Sequence, residues 1–274
     1  MANPVVSVIV PCRPSELFGA VVNIGAIVSA LDEDFRPQVE LVFSVDGELS
    51  QASRDSAERI LGDIRHSIVA APKSGHIGAV RNRAVGVSAG RWLYFLDADC
   101  KVATATFSHI LFTEWSAEII VGDTRFLGKN WIAKLESRLR TVRYSENTHA
   151  YCPNLLVSRA IFHSIGSFDE SFAYGSDGEF SERAIRSKAN ILKDSRLIVH
   201  HNCDASVFRT MRRWFLYGEG RHRRYIKLGI PMAERSYFPQ KPRIVDGMGL
   251  GMYVLAHNAV RGLGVLGAMI RIGR

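Results

Sequence analysis

Hydrophobic and polar positions follow two different periods along the first two hundred residues of the chain. Short β-branched runs at 5–11 and 40–47 stop at a proline or at an aspartate and glycine, as buried strands do where they enter a turn. The segment between them, at about 15–31, carries apolar residues at helical spacing. Strands that alternate with helices form a largely parallel sheet through right-handed crossovers. The pattern therefore predicts an α/β fold.

The same alternation continues to about residue 146. It predicts further helices at 50–61, 79–90 and 129–146, and further strands near 67–70, 91–99 and 118–123. In such sheets, ligands bind beyond the carboxyl ends of the strands. Three of the predicted strand ends carry residues 11–13, Asp46, and the pair Asp97 and Asp99, so we expect these groups to face one crevice.

The pair Asp97 and Asp99 comes directly after the apolar run 92–96. If the strand continued, alternation would place both carboxylates on one side, close enough to share a divalent cation. Hard oxygen ligands suit Mg²⁺ or Mn²⁺, which in turn neutralise a diphosphate. The competing interpretation is an acidic turn that closes the strand, and the pair alone does not exclude it.

The residues before this pair favour an anion site beside the cation site. Gly75 and Gly78 allow a loop to approach a ligand closely. Arg81 and Asn82 are predicted to open a helix, where free backbone N–H groups and a guanidinium attract anionic oxygens. A lone arginine is usually a surface cation, but here all of these features lie within one βαβ-sized unit.

Four stretches of the chain resemble the inverting family-2 glycosyltransferases of the bacterial type. They are VSVIVPCR, VFSVDG, GAVRNRAVGVSAGRWLYFLDADC and NLLVSRAIFHSIGSFDESFAYGSDGEF. The resemblance covers about residues 5–205. It implies a GT-A fold, Rossmann-like with a mostly parallel central sheet flanked by helices, over residues 1–204. Residues 205–274 are then a basic and apolar helical extension that closes the site or docks on a membrane.

The resemblance also implies a donor site for a nucleotide-sugar. Its residues are Pro11, Arg13, Asp46, Gly78, Arg81, Asp97 and Asp99. Asp46 is expected at the base or ribose, Arg81 at the base or diphosphate, and Asp99 on a Mn²⁺ or Mg²⁺ that bridges the diphosphate. Asp97 is expected to contact both ribose and metal. A histidine of LIVHHN, either His200 or His201, is the further candidate ligand, and strand alternation does not choose between them.

Inverting transfer needs a base across the sugar from the leaving group, and the resemblance gives this role to Asp177 in YGSDGEF. The chain has Ser176 where the family usually has a glutamate. Glu179 is the substitute base if the loop is shifted, and a helix N-cap is the structural alternative for Asp177. Asp169 and Glu170 of GSFDE are acceptor-side candidates, or members of a turn beneath the acceptor loop.

Charge separates the C-terminal quarter from the rest of the chain. The net charge is +8, and residues 205–230 hold seven Arg or Lys but one Glu, interleaved with aromatic residues. Such a helix suits site closure, an anionic membrane surface or a phosphate-bearing substrate better than nucleic acid, which we do not expect as a partner. Residues 248–270 are apolar, but Arg261 lies near their centre, which favours an interfacial helix over a membrane span.

Composition bears on the class of protein, the state of the cysteines and the cellular location. With 47% apolar and 23% charged residues the chain has the composition of a globular protein. Its four cysteines form no CxxC pair, which favours buried thiols over a metal site or a redox pair. The N-terminus lacks a basic stretch before its short apolar run, which predicts a cytoplasmic protein, peripheral at the inner face of the membrane if residues 205–274 dock there.

The leading hypothesis is a metal-dependent transferase that moves a sugar onto a hydroxyl acceptor, which is a glycan, a lipid or a small molecule. A nucleotidyltransferase would need a glycine cluster near the first strand, and a dinucleotide oxidoreductase would need GxGxxG, and the sequence shows neither. The non-enzymatic alternative is a catalytically degenerate nucleotide-sugar-binding or membrane-docking protein, which Ser176 favours.

Overall fold

The computed structural model describes residues 4–146, 149–203, 206–231, 234–235 and 247–272. The strands are β1 (Val6–Cys12), β2 (Val39–Asp46), β3 (His66–Ala71), β4 (Trp92–Leu96), β5 (Cys100–Val102), β6 (Ile119–Gly128), β7 (Asn154–Ser158) and β8 (Ile191–Cys203). The helices are α1 (Pro14–Ser29), α2 (Gln51–Leu61), α3 (Ile77–Val87), α4 (Thr104–Phe112), α5 (Trp131–Glu146), α6 (Arg159–Ile165), α7 (Ser176–Arg186), α8 (Val207–Lys227) and α9 (Gly247–Ile272). A short 3-10 helix, Arg36–Gln38, precedes β2.

The strands form one eight-stranded sheet in the order β3-β2-β1-β4-β7-β6-β8-β5. The half from β3 to β4 is parallel, as the alternation of strands and helices predicts. In the other half β7 is antiparallel to both neighbours and β5 is antiparallel to β8, while β6 and β8 are parallel. The α/β fold is confirmed. The antiparallel strands β5 and β7 were not predicted, because short apolar runs carry too little periodicity to identify a strand.

The central strands are buried on both faces because helices cover each side of the sheet. On one side Val8 packs in a cluster with Leu17 of α1. On the other side Ile9 and Phe95 pack in a second cluster with Phe162 of α6. The helices on the two sides hold β1, β2 and β4 in position along the strand direction. The carboxyl ends of these three strands therefore meet at one edge of the sheet.

Helices α8 and α9 lie against each other, and they also contact α7 and α5, respectively. Two glycines permit this close approach. A Cβ atom at Gly218 would overlap the Arg261 carbonyl oxygen, and one at Gly264 would overlap the Phe215 carbonyl oxygen. The two backbones therefore touch where only glycine fits. The segment 205–274 contributes this helix pair, and the domain boundary at residue 204 stays a prediction.

Candidate active site

A cleft of about 990 Å³ lies at the carboxyl ends of β1, β2 and β4 and is bounded by α8 and α9. Its volume is at the upper end of the range that ligand sites occupy. Most of the residues that the sequence nominated lie on its walls. They are Pro11, Arg13, Asp46, Arg81, Asp97, Asp99, Asp177 and His201.

Two carboxylates and one imidazole come together on one wall of this cleft. The antiparallel pairing of β5 with β8 sets Cys100 opposite His201 and so brings that histidine beside the end of β4. His201 Nε2 lies 3.6 Å from an Asp97 carboxylate oxygen and 3.5 Å from an Asp99 carboxylate oxygen. His200, the next residue, does not line the cleft, because neighbouring strand residues point to opposite faces.

The donor set of this cluster fits a divalent cation. His201 Nδ1 lies 3.1 Å from the Asn202 carbonyl oxygen, which accepts a hydrogen bond from an Nδ1–H. In that tautomer the Nε2 lone pair is available to a cation that the two carboxylates hold. Octahedral ligands at about 2.1 Å from Mg²⁺ are separated by about 3.0 Å, close to the spacing found here. Asp97, Asp99 and His201 could therefore hold Mn²⁺ or Mg²⁺.

The buried thiol of Cys100 also lies within reach of Asp99 and His201. Burial raises the pKa of this thiol well above its usual value, so it stays neutral near pH 7. Mn²⁺ and Mg²⁺ prefer oxygen ligands to sulfur. Cys100 is thus a packing residue beneath the cluster, like the other free cysteines, all of which are buried.

The two carboxylates of the pair have opposite electrostatic surroundings. Burial alone would raise the pKa of Asp97, but the facing His201 and the Arg81 guanidinium lower it to about 2. No arginine in the described part of the chain forms a salt bridge with Asp99, and burial together with the Asp97 charge raises its pKa. A cation bound between the two carboxylates would remove this repulsion.

Arg81 reaches the cluster from inside a helix and not from its first turn. α3 begins at Ile77, with His76 as the N-cap residue, so the expected free N–H groups at Arg81 and Asn82 do not exist. The buried Arg81 guanidinium donates to Asp97 Oδ1 at 2.9 Å and lies over the Phe168 ring. Its place beside Asp97 fixes that carboxylate. This explains why the sequence carries an arginine here without a helix start.

The Asp46 carboxylate holds the loop that forms the rim of the cleft. One oxygen accepts hydrogen bonds from the Ser74 N–H at 2.7 Å and the Ser74 hydroxyl at 2.9 Å, and the other accepts from the Gly75 N–H at 3.0 Å. These hydrogen bonds lower the pKa of Asp46 against the effect of burial. At the end of the neighbouring strand β1, Arg13 is the N-cap of α1 and pairs with Glu16.

Asp177 lies at the start of α7 and lines the cleft. The N-cap of this helix is Gly175, with φ of 84°, so the capping alternative for Asp177 is wrong. One Asp177 oxygen accepts a hydrogen bond from the Gly178 N–H at 2.8 Å. The positive end of α7 favours an ionised carboxylate at this position.

Ser176 fills a position that has no room for the glutamate usual in the family. It is fully buried, and a Cβ atom at Gly78 would lie 3.2 Å from the Ser176 Cβ. Gly78 itself does not line the cleft, contrary to its expected donor role, because it allows α3 to approach Phe168 and Ser176 closely. The close contact between α3 and α7 thus explains why both Gly78 and Ser176 are small residues.

The acceptor-side candidates lie outside the cleft walls. Glu179 is buried and accepts two 2.8 Å hydrogen bonds from Arg183. It is therefore not in a position to act as the base in place of Asp177. Asp169 accepts from the Ser171 N–H and pairs with Lys227 of α8, while Glu170 accepts from Asn82. Asp169 and Glu170 therefore form the supporting turn that was the alternative interpretation.

Site closure by the basic segment 205–230 was one of the expected roles, but the sequence did not single out Glu136 of α5 or the residues that α9 brings to the cleft. Glu136 of α5 is buried and accepts hydrogen bonds from Arg140, Arg213, Trp214 and Tyr253 at 3.0–3.2 Å. These partners come from distant parts of the chain, so their only visible sequence feature was the basic and aromatic composition of α8. Further wall residues from this side are Tyr151, Tyr174, Arg212, Tyr217, Arg221, Arg224, His257 and Arg261.

No family model and no curated protein matches this sequence. Solved structures do match its fold. The mannosyltransferase PcManGT from Pyrobaculum calidifontis, solved with GDP-Man and Mn²⁺, superposes with a TM-score of 0.62 at 12% identity, covering 98% of this chain and 76% of that one.

TarS from S. aureus is a second structural neighbour. It superposes with a TM-score of 0.56 at 16% identity over 78% of this chain, and this chain spans 39% of that TarS chain. A shorter form, TarS 1-349 with UDP-GlcNAc, matches with a TM-score of 0.56 at 15% identity, covering 98% and 92% of the two chains. The eight-stranded sheet flanked by helices is thus a GT-A-like glycosyltransferase fold.

Proposed function

We propose that this protein is an inverting, metal-dependent glycosyltransferase that moves a sugar from a nucleoside-diphosphate sugar onto a hydroxyl acceptor. The observation that carries the proposal is the arrangement of one cleft. Asp97, Asp99 and His201 cluster at the strand ends, and Asp177 lines the same cleft from the start of α7. Structural neighbours that hold GDP-Man with Mn²⁺ or UDP-GlcNAc support a nucleotide-sugar as the ligand of such a cleft.

Different residues of the cleft act on the donor and on the acceptor. A bound Mn²⁺ or Mg²⁺ supplies positive charge next to the diphosphate that leaves. Asp97, held by Arg81, and Asp99 orient the donor. Asp177 accepts the proton of the acceptor hydroxyl, and the hydroxyl oxygen forms the new bond to the anomeric carbon. The bond from that carbon to the diphosphate oxygen breaks, and its electron pair stays on the diphosphate.

Release of nucleoside diphosphate from a panel of nucleotide-sugars, measured with a phosphate-coupled assay, tests this function. We expect Asp177→Asn to lower turnover by about 10²–10⁴-fold while nucleotide binding stays unchanged. Glu182→Gln is the matched control, since Glu182 lies on the same helix and pairs with Arg186 away from the cleft. Full turnover in Asp177→Asn would favour a different base.

The stereochemistry of the product tests the inverting assignment independently. With an α-linked donor we expect the first product formed to carry a β linkage, observed by NMR as the coupling constant of the anomeric proton. An α-linked product would contradict a base across the sugar from the leaving group. Donor binding without turnover on any acceptor would support the alternative of a catalytically degenerate binding protein.

We propose a second role for α9 as a contact with the cytoplasmic face of a membrane. By length and composition α9 is the helix of the described chain that could cross a membrane, within Tyr253–Ile270, and 33% of that stretch is buried. Leu255, Leu263, Leu266 and Ile270 are exposed. Their spacing places them on one face of the helix. This apolar face and the net positive charge of residues 205–274 together suit an anionic lipid surface.

Co-sedimentation with vesicles tests the membrane contact. We expect binding to equimolar phosphatidylcholine and phosphatidylglycerol, and loss of that binding in Leu263→Ser combined with Leu266→Ser. Ile185→Ser is the control, because it removes an exposed apolar side chain from α7. Equal binding of the control and the double variant would contradict a role for this face.

A further inference from the structure

Large apolar side chains are exposed to solvent where β6 and β8 end. The most exposed are Phe208, at 78%, and Trp131, at 68%. The set, called the apolar patch below, consists of Leu127, Trp131, Val207, Phe208 and Met211. We propose that the apolar patch inserts into the surface of an anionic lipid bilayer and turns the mouth of the cleft toward that surface. Such a contact does not depend on the reaction that the cleft catalyses.

The sheet topology places the apolar patch at the edge of the sheet that carries the cleft. β4 and β6 are both antiparallel to β7, so they run in the same direction, and β8 is parallel to β6. The carboxyl ends of β6 and β8 therefore point the same way as the end of β4. β6 pairs with β7 as far as Val121, and its later residues continue beside β8 to Gly128. At the usual rise per residue they extend roughly 20 Å past the end of β4.

On β6, the apolar patch begins next to the carboxylate and histidine cluster of the cleft. Phe126 pairs with His201 across the two strands, so Leu127 is one residue beyond that level. A Cβ atom at Gly128 would overlap the backbone of the first turn of α5, which shows that α5 starts against the end of β6. Trp131 is the first residue of α5, so its exposed side chain lies at the carboxyl end of β6.

On α8, the apolar patch continues to the wall of the cleft. α8 begins four residues after the end of β8. Val207, Phe208 and Met211 share one face of its first two turns. The next residue, Arg212, lines the cleft, and the hydrogen bonds of Glu136 hold α8 against α5. The two parts of the apolar patch therefore lie on neighbouring elements at the mouth of the cleft.

The charges around the apolar patch favour an anionic lipid surface as its occupant. Residues 127–134 and 203–212 contain four basic residues, Lys129, Lys134, Arg209 and Arg212, and one acidic residue, Asp204. The four basic side chains are exposed. A second copy of this chain would bring like charges together, which disfavours self-association through this surface. Exposed aromatic side chains flanked by lysine and arginine are instead typical of segments that bind in the headgroup region of anionic membranes.

The apolar patch is distinct from the apolar face of α9. Trp214 of α8 packs on Tyr253, and Gly218 of α8 contacts Arg261, so the two helices run side by side in the same direction. The exposed Ile270 lies near the end of α9, whereas the apolar patch includes the first residues of α8. The two lipid contacts are therefore tested by different variants.

Quenching of tryptophan fluorescence by brominated lipid tests insertion of the apolar patch. The full chain is mixed with vesicles of equimolar phosphatidylcholine and phosphatidylglycerol whose acyl chains carry bromine, which quenches tryptophan that enters the bilayer. We expect quenching in the wild type and its loss in Trp131→Phe, which keeps an apolar side chain and therefore keeps binding. Trp92 and Trp214 are buried, and Trp115 lies beside Trp92 at the opposite edge of the sheet, so none of them should be quenched. Quenching that persists in Trp131→Phe would overturn the proposal.

Co-sedimentation with unbrominated vesicles of the same composition measures the strength of the contact. We expect Phe208→Ser to weaken vesicle binding by about tenfold, as the loss of one inserted aromatic side chain predicts. Phe112→Ser is the matched control, because Phe112 is 64% exposed and contacts Phe35 near the start of β2, at the opposite edge of the sheet. It should leave vesicle binding unchanged. Melting temperatures of both variants report whether each is folded.

Several outcomes would contradict this lipid contact. Equal binding of Phe208→Ser and Phe112→Ser, or no binding of the wild type to the vesicles, would overturn it. Equally strong binding without phosphatidylglycerol would refute the role of the basic residues. A wild-type dimer in sedimentation equilibrium that dissociates in Phe208→Ser would assign the apolar patch to self-association. None of these measurements uses the transferase reaction, so the lipid contact and the proposed function can fail independently.

Discussion

Asp97 and Asp99 are one residue apart, and their surroundings give them different properties. Arg81 and His201 keep Asp97 ionised, with a pKa of about 2, so it is a fixed negative charge on the cleft wall at any physiological pH. Burial and that neighbouring charge raise the pKa of Asp99. A cation that binds between the two carboxylates relieves this repulsion. Two carboxylates held close together in this way are typical of a functional site rather than of an acidic turn.

Replacement of Asp99 gives the first prediction. We expect Asp99→Asn to abolish the stabilisation that Mn²⁺ and nucleotide confer together. The melting temperature of the metal-free protein should be equal to or above that of the wild type, because a repelled carboxylate is removed. Thermal unfolding with and without Mn²⁺ measures both effects.

The control for this prediction is Asp63→Asn, which removes an exposed carboxylate beyond α2. It should leave the metal response intact. A lower melting temperature of metal-free Asp99→Asn, with the metal response retained, would instead mean that Asp99 only closes the turn after β4.

At the scale of elements, one carboxylate joins three helices. Glu136 of α5 receives hydrogen bonds from Arg213 and Trp214 of α8 and from Tyr253 of α9. The wall of the cleft therefore depends on a buried, ionised group. Burial alone would raise the pKa of Glu136, but Arg140 and Arg213 lower it to about 2.

The depressed pKa of Glu136 predicts how stability depends on pH. Its contribution is fully present above the ordinary glutamate pKa of 4.5 and is lost as pH falls through about 2. A shift of this size corresponds to about 3 kcal/mol. Urea unfolding between pH 6 and pH 2 should therefore show a steeper loss of stability for the wild type than for Glu136→Gln. Parallel curves would show that Glu136 does not stabilise the fold through its charge.

Contact between α8 and α9 gives a third prediction. Gly264→Ala places a methyl group where the Phe215 carbonyl oxygen lies, so the helices must separate. We expect a loss of about 1–3 kcal/mol in the free energy of unfolding, the usual effect of overpacking. Gly19→Ala in α1 is the control, because open space surrounds that position, and it should be neutral or stabilising. An equal change in both variants would contradict a close helix contact.

For the whole molecule, the sequence predicted the parallel half of the sheet because its strands are buried, β-branched and separated by helices. It also nominated Asp97 and Asp99, because they follow an apolar run, and the family resemblance nominated Asp177. It did not separate His200 from His201, because that choice depends on the pairing of β8 with β5. The Glu136 cluster was not predicted, because its partners are distant in sequence and meet only through packing.

Metal-dependent nucleotide binding tests the central claim most directly. Thermal shifts of the wild type and Asp99→Asn are measured with UDP, GDP and their sugars, each with and without Mn²⁺. A ligand that binds the folded state at about 100 times its Kd stabilises it by about 2.7 kcal/mol. We predict such a shift for at least one nucleotide only when Mn²⁺ is present, and its loss in Asp99→Asn. No metal-dependent shift with any nucleotide, or a full shift in Asp99→Asn, would contradict the account.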